Sequence, residues 1–136
     1  MCLDYDLKPE QAAKIKAEAR KRGYIRVWKV CKEKHTGWYQ GRYWDKGLHK
    51  AGSLDFEDGG WYVYLSHKSA KSLNREFRKY CELSIKVCYA KPSWIKRLGG
   101  DCFNRRVGIF THLCFPDWDK GDMTIREFRA MCKEKP

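Results

Sequence analysis

Between Gly37 and Ser53 the chain reads GWYQGRYWDKGLHKAGS, a run of aromatic and basic side chains broken by glycines. Trp38, Tyr39, Tyr43 and Trp44 alternate with Arg42, Lys46 and Lys50, and His49 lies among them. Nucleobases have flat π-faces and phosphates carry charge, so aromatic platforms beside cations suit a single-stranded ligand. Stacking on such platforms contributes about 1–3 kcal/mol per base. Glycines permit close approach by the backbone. The rings have a second reading: Tyr39, Tyr43 and Trp61 equally suit a role as core plugs, because large apolar side chains tend to be buried.

Three further groups could hold an anion. In YLSHKSAKS a strand gives way to a helix at Ser66. Backbone N–H groups at a helix start attract negative charge, and Ser66, His67, Lys68 and Ser69 stand there, with Lys71 following. Ser66 also reads as an ordinary helix cap. His67 is the best-placed proton carrier if a proton is to move. Asn104, Arg105 and Arg106 follow a double glycine and form either a strand-edge turn or part of a basic face. Arg26 alternates onto the same face as Trp28 and is expected to point inward, paired or awaiting an anion.

Catalytic and metal chemistry find little support. The chain has no GxSxG, HExxH or P-loop motif, and no evident Cys–His–Asp set. The acidic runs DFED and PDWDKGD read as turns. No cofactor is expected. Seven cysteines, an odd number without a CxxC pair, suggest reduced thiols and a cytosolic home. Cys31 with His35 and His112 with Cys114 lack the paired spacing of structural zinc, so no metal site is expected. Cysteines 81, 88 and 114 sit in apolar strands as small hydrophobes.

The net charge is +12, from 29 basic and 17 acidic residues. An excess of that size favours a polyanionic partner, nucleic acid or a nucleotide first and an acidic protein surface second. No run approaches the roughly 18 apolar residues that cross a membrane, so no membrane partner is expected. Met1–Asp6 is acidic and has no apolar signal region.

These residues need positioning elements. Pro9 and a run of alanines predict a helix from Lys8 to Arg22, stopped by Gly23. Tyr24–Cys31 alternates as a strand, and 32–60 is a long segment with weak periodicity and room for a hairpin at Gly41 or Gly47. Trp61–Ser66 is a strand. The helix after it runs to about Tyr80, with Ala70, Leu73, Phe77 and Tyr80 on one face. Glu82–Tyr89 is a third strand, SWIKRL a helical turn stopped by Gly99 and Gly100, and Arg106–Phe115 a covered strand. Thr124 and Glu127 match a capping box that opens the last helix. The order predicts one α+β domain over 1–136, with a small antiparallel or mixed sheet of at least four strands and two or three helices.

The sequence GLHKAGS … GWYVYLSHKSAKSL … ELSIKVCYAKPSWI resembles a pattern in ADP-ribosyltransferase-like folds, including the tRNA 2′-phosphotransferases. There a strand ends in a small polar residue, a helix with an early alanine follows, and a strand comes next. The resemblance spans about half the chain. It implies that this region holds NAD or a phosphorylated RNA, with Ser66 and Ala70 at matching positions and Arg26 as an early-strand arginine. The same stretch resembles small uncharacterised proteins of bacteriophage genomes, which implies a role against host defence. Three expectations stand together: a nucleic-acid or nucleotide binding module, an enzyme of the transferase-like group, and an inhibitor that docks a basic face on an acidic protein.

Overall fold

The computed structural model describes residues 3–32, 46–51, 60–77, 83–117 and 120–133. Trp38, Arg42, Tyr43 and Trp44 lie outside them, as do Cys81 and the expected end of the second helix at Tyr80. The described elements are β1 (Tyr5–Asp6), α1 (Pro9–Arg22), β2 (Ile25–Lys32), β3 (Gly47–Lys50), β4 (Trp61–Tyr64), α2 (His67–Phe77), β5 (Leu83–Ala90), a 3₁₀ turn (Pro92–Trp94), β6 (Ile95–Gly100), β7 (Arg106–Phe110), β8 (His112–Phe115) and α3 (Ile125–Lys133). The fold is α+β. Its sheet is antiparallel throughout and has eight strands, in the order β1-β6-β7-β4-β2-β5-β8-β3.

That order dictates the shape of the sheet. β7 and β8 are separated in sequence by Thr111 alone, yet they flank opposite sides of the β4-β2-β5 triplet. In a flat sheet they would stand four strand spacings, about 19 Å, apart. Two peptide steps reach only about 7 Å. The triplet must therefore curl until its two flanks meet at Thr111. The expected strand Arg106–Phe115 is thus one run bent in the middle, its first half paired to β4 (Trp61 with Phe110, Tyr64 with Val107) and its second to β5 (Tyr89 with Cys114). The bend leaves no backbone group of Thr111 stranded. Its N–H donates to the Trp94 carbonyl at 2.8 Å, and its carbonyl accepts from Ala51 N–H at 2.9 Å.

The curl encloses Val27, Trp61, Val63, Cys88, Phe110, Leu113 and Phe115. Two helices cover its outside. In α2 the periodic residues Ala70 and Leu73 are buried against Val30, Tyr62, Tyr64 and Ile109. Burying one such leucine contributes about 1.5–3 kcal/mol. In α3 the buried Phe128 packs with Tyr89, Cys114 and Met123. The capping box forms in part: Thr124 Oγ1 accepts Glu127 N–H and donates to Glu127 Oε1, both at 3.1 Å. Gly23 ends α1 in the left-handed conformation, φ 86°, with its N–H on the Ala19 carbonyl.

Two expectations are corrected in the β6 region. SWIKRL is not a helical turn; only Pro92–Trp94 is helical, as a 3₁₀ turn, and Ile95–Gly100 is extended because β7 pairs with it along its length, with one register shift between Ile95 and Arg97. Gly99 and Gly100 do not stop a helix. They pair with Asp6 and Tyr5 of β1, and a Cβ on Gly99 would collide with the Tyr5 carbonyl. Glycine is there for close approach.

The turn from β6 to β7 is built around a buried carboxylate. Asp101 Oδ1 accepts N–H groups from Phe103 and Arg105, both at 3.0 Å, and its Oδ2 takes Arg105 Nε at 2.6 Å. Arg105 Nη1 reaches on to Glu76 Oε2 of α2 at 2.7 Å. Asp101 and Arg105 are 2% and 3% exposed, so neither has water as a substitute partner. Removing one member of such a pair strands the other. Urea unfolding of Arg105→Met should show a loss of about 3–5 kcal/mol; a loss below about 1 kcal/mol, as for an exposed pair, would mean that water reaches Asp101.

Candidate functional site

The period-two alternation of β2 puts Arg26 and Trp28 on the outer surface of the curl, next to the start of α2. Arg26 is exposed, which corrects the expected inward orientation: its guanidinium reaches solvent and pairs with the exposed Asp122. Its Cζ lies 5.8 Å from the centre of the Trp28 ring. His67 stands 6.0 Å from the same ring between centroids. An indole thus has a guanidinium and an imidazole close by.

Depressions open on each side of the indole. One, of about 330 Å³, lies between α1 and β2 and is lined by Arg22, Tyr24, Arg26, Trp28 and Arg106, with Glu18 as its one acid. The other, of about 240 Å³, is lined by Trp28, His67, Lys86 and Asp122 among others. From His67 a third hollow continues along α2 past Lys68, Lys71, Asn74 and Arg75, with no carboxylate among the described residues of its lining. Five of the residues singled out from sequence therefore share one surface: Arg26, His67, Lys68, Lys71 and Arg106.

Two hydroxyls hold this surface in register. Ser66 Oγ accepts Ser69 N–H at 3.1 Å and donates to Ser69 Oγ at 2.9 Å. Ser69 Oγ accepts Arg106 N–H at 3.1 Å. The first turn of α2 is thereby tied to the first residue of β7, and Ser66 serves as the cap. Ala70 is fully buried beneath the helix.

One carboxylate on this face, Asp122, is held loosely to its cation. Arg26 and Asp122 are 3.4 Å apart and both exposed, at 44% and 66%; such pairs contribute about 0–1 kcal/mol. Asp122 is steadied from beneath by Tyr89, whose hydroxyl donates to it at 3.3 Å and accepts Met123 N–H at 3.2 Å. Burial, with Asp122 close by, raises the Tyr89 pKa above the ordinary phenol value. Tyr89 therefore stays a neutral donor.

The remaining expected residues lie elsewhere. Arg105 faces inward between Asp101 and Glu76, so its charge is neutralised within the fold rather than presented beside Arg106. His49 and Lys50 are on β3, at the far flank of the sheet. His49 stacks on Phe115 at 4.4 Å, and Lys50 stands opposite His112. Trp28 and Arg22 join the surface although neither was singled out as a ligand contact. For Trp28 the signal was its shared face with Arg26; Arg22 reads equally well as a cation at a helix end. Among the described residues no three His, Cys, Asp or Glu side chains are grouped to hold a metal ion, and no helix is long and apolar enough to cross a membrane.

Compared with known protein families, curated proteins and solved structures, the chain matches none.

The β3 flank carries its own pH response. Burial first, and Lys50 second, lower the His112 pKa below the ordinary imidazole value; its Nδ1 lies 2.9 Å from Thr111 Oγ1 at the bend of the sheet. A depressed histidine favours the folded state above its unfolded pKa, about 6.5. Stability should fall as pH drops below that value, and His112→Gln should flatten the fall in melting temperature between neutral pH and pH 5. An unaltered profile in the variant would assign the response to other groups.

Proposed function

We propose that the protein is a binding module for nucleic acid or a nucleotide-type ligand, and that the surface around Trp28 receives it. One observation carries the reading: the Trp28 ring has Arg26 and His67 close by, Arg22 and Arg106 line a hollow with it, and Lys68 and Lys71 line another that starts at His67. A π-face among exposed cations, with an acid bound only weakly to one of them, matches what a base and its neighbouring phosphates require. Phosphate replaces Asp122 on Arg26 at little expense, because the exposed ion pair is weak. The excess of positive charge over the whole chain supports the same class of partner and speeds its arrival. A compact basic product of this kind is also compatible with an anti-defence role in a bacteriophage setting.

The test is a titration with mixed-sequence single-stranded RNA and DNA across a salt series. Each phosphate contact contributes about −0.7 to the log–log slope, so Arg106→Gln and Lys71→Gln should each make the slope shallower by about that amount. Asp122→Asn should act the other way and tighten binding, since it frees Arg26 and keeps an acceptor for Tyr89. Trp28→Leu, which retains apolar bulk without a π-face, should weaken binding by about 1–3 kcal/mol. Slopes and affinities equal to those of the unaltered protein in all four variants would remove this surface from the reading.

A further inference from the structure

A cavity of about 610 Å³ lies away from that surface, between the last turn of α1, the link after β5 and the helix α3. Its floor is apolar, with the buried Phe128 beside Pro92 and Cys132. Among the described residues its rim carries Arg20, Lys91, Arg129 and Lys133, and no carboxylate. Among the described residues Arg20, Arg129 and Lys133 form no ion pair.

Part of that charge has a local use. Arg20 and Lys133 stand in the last turns of α1 and α3. Arg129 leans on the end of α1, where a Cβ added to Gly23 would stand 3.8 Å from its Nη2. A helix C-terminus carries about half a negative charge, so two of them offset about one of the four cations. About three positive charges then face a hollow with a hydrocarbon floor. Its volume falls within the roughly 300–1,000 Å³ of ordinary ligand sites.

We propose that this cavity is a second binding site, for an organic polyanion of nucleotide size. The apolar or aromatic body lies on Phe128 and Pro92, and the charged group lies on Arg20 and Arg129. The site does not rest on the nucleic-acid reading of the Trp28 surface, and it shares no residue with that surface.

ADP is the probe, and Cys132 reports from inside the cavity. Cys102, exposed in the turn after β6, serves as the reference. Burial raises the Cys132 thiol above its ordinary pKa, so alkylation is followed at alkaline pH with peptide-resolved mass spectrometry. Saturating ADP should slow alkylation of Cys132 several-fold and leave Cys102 unchanged; an unchanged Cys132 rate overturns the proposal. In calorimetry the Arg20→Gln/Arg129→Gln double variant should bind ADP about tenfold more weakly and keep the RNA affinity of the unaltered protein. ADP affinity equal to that of the unaltered protein would place the nucleotide elsewhere. Loss of ADP binding in Arg26→Gln/Arg106→Gln, with the cavity variant unaffected, would assign ADP to the Trp28 surface and likewise overturn the second site. Inorganic pyrophosphate competing as strongly as ADP would leave the apolar floor without a role and defeat the proposal in that form.

Discussion

The joint at Thr111 governs the structure. One residue connects two strands that flank opposite sides of a three-strand group, and the sheet has to bend around to allow it. Both backbone groups of Thr111 are engaged by the ends of neighbouring strands, so the joint carries no orphaned polar group. The interior that results is lined from all sides by β2, β4, β5, β7 and β8. The curvature also separates the two covering helices, α2 over one wall and α3 over another. The surface around Trp28 emerges at the outer end of β2, where α1, α2 and the start of β7 come together.

Arginine takes two opposite roles in this chain. Arg105 is buried and held by two carboxylates, where its fixed fork shapes a turn and braces it against α2. Arg106, the next residue, turns its side chain outward while its N–H is fastened by Ser69. Strand alternation sends neighbours to opposite faces, and burial on one face demands partners that the other does not. Arg26 resembles Arg106 in exposure but has a replaceable partner in Asp122. Among the described residues the positive charge is thus distributed by geometry into cations that build the fold, Arg105 and the buried Lys29 on the Tyr62 carbonyl, and others that meet solvent.

Much of this was legible from residue order, and the rest was not for identifiable reasons. The spacing of Ala70 and Leu73, the stop at Gly23 and the box at Thr124 and Glu127 are local signals, and each marks its element. β1 is two residues long and has no signal of its own; it forms because glycines in β6 allow it close. β6 contains Lys96 and Arg97 after a helix-starting proline, and only its pairing with β7 makes it a strand. The bend at Thr111 is invisible in a run that is apolar on both faces. For the surface, alternation placed Arg26 with Trp28 but could not say which side was covered, since that depends on where α2 lands. Adjacent Arg105 and Arg106 look alike in sequence, and the buried Asp101 that distinguishes them is reached only through folding.

The position of the closing strand has a consequence for how the chain is made. β2, β4 and β5 all precede Arg106, so during synthesis they leave the ribosome as a group with two unpaired flanks. Open flanks are templates for pairing with other chains. The strand that covers both comes late, and a single segment performs both tasks. A chain that ends before Arg106 therefore leaves both edges open at once, whereas the run Arg106–Phe115 covers them together.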